Sequence, residues 1–384
     1  MNRDLWHEDI EQLKSDLPSL HSNFFYAGNA AGFYSKIESL QRNLDSMGAY
    51  DIVLEMTRIV ATARDAHTTL VLPQNFRLPF DCYPFAEGLY ITTTDEANRD
   101  LLHAKILGIG ETGTTDVYQA ISDITPHENT QFVLSCLPKS ITCVDILYGL
   151  GIAEYVDSVD ISIMDRDGNS ARKTIRPVKY ADYQPVKSHV ADLPLYRQRE
   201  DEFYWSALRD GVFYINYSRC RNMEAPAISV SEFGDRLMGE LTENSEVEKV
   251  VIDMRHNTGG NSELFKPFLQ WLSANESLNQ RGKLFVVVGR DTFSSASLNM
   301  FFLKYNTEAI FVGEPTGGKP NHYGEVKYLE LRHSGLYIRY STKYYHLIED
   351  EQLSFVPDIE LPVSFDDYLM GIDRCMMTIE DCRA

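Results

Sequence analysis

Between residues 212 and 312 short apolar runs alternate with helical patterns, and this alternation limits the fold more than any other feature of the sequence. Val212–Tyr217, Val247–Met254, Leu284–Val288 and Ala309–Val312 are apolar runs of strand length. Between them Ser229–Leu241, Ser262–Ala274 and Ser294–Lys304 read as helices. A strand without polar alternation is buried on both faces, so helices must cover its sheet. The pattern predicts parallel β-α units. A ligand in such a sheet sits where the strands run out into the helices.

The rest of the chain has a different texture. Residues 1–75 read as helical: Trp6, Ile10, Leu13 and Leu17 recur at helical spacing, and Ile52–Ala63 repeats the character after Gly48. Residues 85–178 read as a small β-rich unit. Gly88-Leu89-Tyr90-Ile91 opens a strand, Ala104–Gly110 is a strand ending in a glycine turn, and Asp116–Ile121 is a short helix. Two strands between Val156 and Ile175 flank the turn Asp165-Arg166-Asp167-Gly168, a hairpin signal. Residues 178–205 are polar, carry Pro185 and Pro194, and read as a connector. The length of 384 residues accommodates two or three units at ~150 residues each.

Charge and cysteine content exclude several function classes. There are 36 Lys and Arg against 56 Asp and Glu, a formal net charge of −20. Nucleic-acid partners need clustered basic residues, and anionic lipid needs the same. Neither partner is expected. No run approaches the length of a membrane span. The first twenty residues carry Arg3, Asp4, Glu8, Asp9, Glu11 and Asp16 with no apolar stretch, so a cytoplasmic location is the expectation. The six cysteines, at 82, 136, 143, 220, 375 and 382, form no CxxC pair and read as free thiols. No metal or organic cofactor is implied.

Three junctions carry chemistry. In Asp253-Met254-Arg255-His256-Asn257-Thr258-Gly259-Gly260-Asn261-Ser262 a buried strand enters a turn with adjacent glycines, then a helix. The turn is either a structural Gly-Gly turn or a place where backbone N–H groups approach an anion or oxyanion closely and the helix start favours negative charge. In Gly289–Ser297 a second strand runs into a helix that starts among Ser294, Ser295 and Ser297. Those serines are either helix caps or include a nucleophile beside an oxyanion-binding N–H. In Gly313-Glu314-Pro315-Thr316-Gly317-Gly318-Lys319 a lysine stands on a Gly-rich loop. It is either a solvated turn residue or a general base made available by desolvation.

The order of these three motifs resembles the tail-specific or C-terminal processing serine peptidases, with the tricorn core proteases as relatives. The likeness covers residues 200–384, and the helical start and β-rich segment fit the same architecture. It implies an α/β (α+β) fold with a crotonase-like β-α core, a helical N-terminal segment and a PDZ-like insert interrupted near residues 125–155. The parts would be 1–75 helical, 85–178 PDZ-like and 200–384 the serine peptidase core. Gly88-Leu89-Tyr90-Ile91 resembles the carboxylate-binding loop of PDZ domains. By position, Ser295 matches the nucleophile. Gly259 or Gly260, with the Ala296 N–H, matches the oxyanion hole, and Lys319 matches the base of the tail-specific branch. The tricorn-like branch instead uses a histidine, for which His67 in Asp65-Ala66-His67-Thr68 is the candidate. It also uses a glutamate before a final Pro-Asp, here Glu349 or Glu351 ahead of Pro357-Asp358. Two positions depart from the tail-specific pattern: Leu298 replaces a Glu, and His322 and Tyr323 occupy the region of a Gln. His256 is expected to be structural.

The implied activity is hydrolysis of unfolded or short peptides through an acyl-enzyme on Ser295, without a cofactor. The partner is then a peptide or unfolded protein substrate, and the oligomeric state is left open. Two other readings share the fold: a non-catalytic ligand- or peptide-binding protein, like the interphotoreceptor retinoid-binding proteins, and a crotonase-like acyl-CoA enzyme.

Overall fold

The computed structural model describes residues 1–28, 30–186 and 193–382. The chain divides into two compact units, one of Met1–Ser188 with His322–Tyr345 and one of His189–Asn321 with His346–Ala384. Part of the segment read as a connector, residues 187–192, lies outside the described residues.

In the first unit the helices Arg3–Leu20, Ala30–Asn43 and Ala49–Val60 pack through one apolar face each. Trp6, Ile10, Leu13 and Leu17 are all buried, as their spacing requires, together with Phe33, Ile37, Ile52, Met56 and Ile59. The same cluster takes in Leu329, Ile338 and Tyr340 of a long hairpin, His322–Glu330 paired with Tyr337–Tyr345. Thr69–Leu70 adds a third strand to that hairpin. A separate antiparallel sheet follows, in the order Phe80–Phe85, Gly88–Thr94, Lys105–Ile109, Val159–Met164, Ser170–Ile175. Its last two strands pair across the Asp165–Gly168 turn, where Gly168 has a φ of 85°. The helix Thr114–Ile124 covers it with Val117 and Ile121. The interruption near residues 125–155 is helical, with Thr130–Thr142 and Val144–Gly149.

In the second unit a six-stranded sheet runs in the order Tyr204–Arg209, Val212–Tyr217, Lys249–Asp253, Leu284–Val288, Ile310–Gly313, Ile359–Glu360. Every pair is parallel except the first. That first pair closes through Asp210-Gly211, with φ values of 47° and 77°, a two-residue turn in the left-handed region. Alternation along each strand divides the core. Val250, Ile252, Leu284, Val286 and Val288 face the helices Val230–Glu243, Lys266–Ala274 and Ser295–Asn306. Val251, Phe285 and Val287 face the other side, where Cys375, Met376 and Ile379 of the helix Arg374–Asp381 pack. Burying one such aliphatic side chain stabilises the fold by about 1.5–3 kcal/mol, so both faces of this sheet contribute. The strands Lys249–Asp253 and Leu284–Val288 lie side by side, and both run out at the same edge.

Candidate active site

The exit of the strand Lys249–Asp253 is held by a buried charge cluster. Asp253 accepts hydrogen bonds from the Tyr214 hydroxyl at 2.8 Å and from the Arg255 backbone N–H at 3.1 Å. The Arg255 guanidinium reaches Asp253 and makes a forked pair with Asp373 at 3.2 and 2.9 Å. Such bidentate pairing fixes geometry as well as charge. After it the chain turns through Asn257, whose amide is fully buried. Asn257 Nδ2 donates to the Tyr217 carbonyl at 2.7 Å, and its Oδ1 accepts from the Gly259 N–H at 2.9 Å.

Gly259 and Gly260 have φ values of 95° and 138°, a region that L side chains rarely occupy. A Cβ on Gly259 would lie 2.7 Å from the Ser294 Cβ and 3.0 Å from the Ser295 nitrogen. A Cβ on Gly260 would collide with the Cys220 carbonyl. The glycines therefore let this turn lie directly against the serine turn. Cys220 and Gly260 form a parallel bridge, in which the Cys220 N–H donates to the Gly259 carbonyl at 3.0 Å and the Asn261 N–H donates to the Cys220 carbonyl at 2.6 Å. The N–H and C=O of Gly260 itself stay outside that bridge, and its carbonyl accepts the Ser295 hydroxyl at 2.7 Å.

The serine turn is sharp. Ser294 precedes the helix Ser295–Asn306 with φ 59° and ψ −127°, and its side chain makes no capping hydrogen bond. A non-glycine residue in such a region costs on the order of 1–3 kcal/mol, and such strain clusters at functional sites. The capping explanation of the serines is not realised here. Ser295 bonds the Gly260 carbonyl, and the Ser297 hydroxyl is buried without a hydrogen-bond partner among the described residues. The Ala296 N–H closes the turn onto the Phe293 carbonyl at 3.1 Å. Of the three expected oxyanion donors, Gly259 and Ala296 are thus engaged inside their own turns, and Gly260 is not part of those bonds.

The lysine loop is tied to the serine turn by backbone. Gly317 N–H donates to the Arg290 carbonyl and Gly318 N–H to the Thr292 carbonyl, each at 3.0 Å. Lys319 Nζ pairs with Glu351 Oε2 at 2.9 Å. The lysine side chain is 12% exposed and the glutamate side chain 65% exposed, so the pair reaches from a covered stem to solvent. The hydrogen bond from Lys319 lowers the Glu351 carboxyl below its usual range. Of the two glutamates expected upstream of Pro357-Asp358, Glu351 meets Lys319, whereas Glu349 is exposed. His256 pairs through Nδ1 with Asp291 at 3.1 Å.

His67 belongs to the first unit. It is 2% exposed and stacks on His322, with ring centroids 5.5 Å apart and planes 14° from parallel. Its Nδ1 lies 3.8 Å from Asp65 Oδ1. Asp65 is buried and accepts from His21 Nε2 at 2.9 Å, the Thr68 hydroxyl at 2.6 Å and the His67 N–H at 2.9 Å. Burial by itself would raise the Asp65 carboxyl; the bonds from His21 and His67 outweigh it and hold the group well below the carboxylate range.

Asn257, Ser297, Asp65 and His322 were given no individual role from the sequence, and the structure places them beside the candidate residues. Asn257 had a signal, since Asn two residues before a glycine is an Asx turn. The burial of Ser297 and the stacking of His322 had none. No group of three or more His, Cys, Asp or Glu suited to a metal is present among the described residues.

No family model and no curated protein sequence matches the chain. Solved structures do. A mutant of CPAF aligns with a TM-score of 0.70 at 12% identity, covering 99% of this chain and 99% of the other. Mature CPAF complexed with lactacystin aligns with a TM-score of 0.68 at 12% identity, covering 98% and 97%. The photosystem II D1 C-terminal processing protease aligns with a TM-score of 0.42 at 12% identity, covering 93% and 92%. At this identity the likeness to CPAF is one of fold.

Proposed function

Starting from the fold shared with CPAF, we propose that this protein is a serine-type peptidase that hydrolyses unfolded or short peptides through an acyl-enzyme on Ser295. The observation that carries this reading is the Ser295 hydroxyl, held 2.7 Å from Gly260 where two glycines bring a backbone turn against a strained serine turn. The three parts of the chain are then a helical segment over 1–75, a PDZ-like unit over 85–178 and a crotonase-like peptidase core over 200–384.

In the reaction a base takes the Ser295 proton as the oxygen attacks the scissile carbonyl. The proton now donated to the Gly260 carbonyl must first be redirected to that base. Gly260 N–H is the oxyanion donor best supported by the bonding pattern, with Ala296 N–H joining once released from the Phe293 carbonyl. Losing one such donor typically costs about 10²–10³ in rate. Water then cleaves the ester. Two groups compete for the role of base. Lys319 is supported by the backbone bonds that tie its loop to residues 290–292. His67 is supported by its contact with ionised Asp65.

A second reading has one observation in its favour. Lys319 is paired with Glu351, and Ser295 with a carbonyl, so neither group is free in this state. That suits a non-catalytic peptide- or ligand-binding protein of the same fold. A fluorophosphonate probe separates the two. Labelling of the full chain is expected, with Ser295→Ala abolishing it and either Lys319→Ala or His67→Ala slowing it at least tenfold. A chain inert to the probe and to a peptide library is a binder, and label found on another residue removes Ser295 as nucleophile.

A further inference from the structure

Ser297 combines two observations that the proposed reaction does not use. Its hydroxyl is fully buried, in the first turn of the helix Ser295–Asn306, and no group among the described residues bonds it. It also faces the lysine loop: a Cβ on Gly318 would collide with Ser297 Oγ, so the hydroxyl lies against the backbone immediately before Lys319. Leaving a buried hydroxyl unpaired costs roughly 1–3 kcal/mol. An alanine would leave no polar group unpaired there. Buried polar groups without partners are rare enough that each calls for a reason.

The position of Lys319 supplies one. Its amine is paired outward, to a glutamate that is largely in solvent. A protonated, paired amine cannot accept the Ser295 proton. To act as the base it must give up a proton to Glu351 or, through it, to solvent, leave that pair and find a hydrogen-bond partner close to Ser295. Consecutive Cα atoms lie about 3.8 Å apart, and lysine carries a flexible four-carbon stem. The hydroxyl beside Gly318 is therefore within reach of the Lys319 amine. Thr316 Oγ1, which donates to the Gly318 carbonyl at 2.8 Å, and the Gly318 N–H, bonded to the Thr292 carbonyl, keep the loop in place while the side chain moves.

We propose that the Ser297 hydroxyl is the inner seat of the Lys319 amine, a positioning residue that donates its O–H to the neutral amine and aims it at Ser295. This rests on the peptidase reading and chooses Lys319 within it. Ser297 can donate its O–H to the unprotonated amine, which the Glu351 carboxylate cannot do. Proton transfer balances: the amine gains the Ser295 proton as the serine oxygen bonds the carbonyl carbon.

The test measures fluorophosphonate labelling rate against pH, with thermal melting alongside, for the wild-type chain, Ser297→Ala, Glu351→Gln and Lys319→Ala. Ser297→Ala is expected to melt at the same temperature or higher, because it removes an unpaired hydroxyl. It is nevertheless expected to label about 10–100-fold more slowly at neutral pH, with a pH profile unlike the wild-type one. Glu351→Gln, which frees the amine from its outward partner, is expected to label faster than wild type. A purely structural serine would not couple a stable fold to a changed pH profile. A Ser297→Ala chain that labels at the wild-type rate with the wild-type profile overturns the proposal. So does a Lys319→Ala chain that labels normally, which leaves the peptidase reading standing on His67. A wild-type chain that does not label removes both.

Discussion

Asp65 shows how much a single buried group can govern. Its carboxylate is held by three hydrogen bonds, from a histidine, a threonine hydroxyl and a backbone N–H. Its folded affinity for a proton lies below its unfolded one, near pH 3.9 for an ordinary aspartate. The linkage sign follows. The stability it contributes is fully present above about pH 4 and is lost as the pH falls through the lower folded value. Asp65→Asn removes the ionised acceptor, so its melting temperature is expected to be lower than wild type at neutral pH, with the gap closing as the medium becomes strongly acidic. Thermal melts across pH check this, and a gap independent of pH would contradict it. The resemblance to the tricorn-like branch offered His67 as a candidate, on the Asp65–Thr68 run. It did not contain His322 stacked on that ring, because the two residues are far apart in the chain and meet only when the hairpin His322–Tyr345 closes.

Elements were legible where local physics decides them. The buried strands between residues 212 and 312 announced themselves by continuous apolar runs, and the Asp165–Gly168 turn by its composition. The strand Tyr204–Arg209 was not read as a strand, and its first two residues fell at the end of the stretch 178–205 read as connector, although Asp210-Gly211 is a hairpin signal that places a strand on either side. The Gly259–Gly260 turn was read in two ways, as structural or functional, and its geometry makes the ambiguity physical. The same positive φ values that relieve backbone strain also bring the turn against Ser294 and Ser295. Gly260→Ala is expected to cost at least about 1–3 kcal/mol from the backbone alone, with more from the Cys220 carbonyl. Urea denaturation reads that cost. Where folded protein remains, labelling of Ser295 is expected to fall about 10²–10³-fold as the donor is displaced. A variant that is stable and fully reactive would remove Gly260 from the site.

Across the whole molecule the net charge of −20 creates a field that individual contacts do not. It favours cationic partners at a distance and acts through encounter rate more than through fit. Peptides rich in Lys and Arg are therefore expected to be cleaved faster than matched peptides rich in Asp and Glu. The ratio should shrink as salt rises from 0.01 to about 0.15 M, where screening shortens to about 8 Å. Rates on charge-swapped peptides at two ionic strengths check this, and a salt-independent ratio assigns the preference to the binding cleft instead.

The sequence by itself determined the local terms: which segments are strands and helices, that a parallel sheet is covered on both faces, and where strands run into glycine- and serine-rich turns. Periodicity and turn chemistry act over a few residues, so they can be read without the fold. Only the tertiary structure decided which groups meet. It turned Ser295 onto Gly260, engaged the Gly259 and Ala296 N–H groups elsewhere, paired Lys319 with Glu351 and left the Ser297 hydroxyl buried without a partner among the described residues. A hydrogen bond is gained or lost over less than an ångström, and no pattern along the chain fixes distances that finely between residues tens of positions apart.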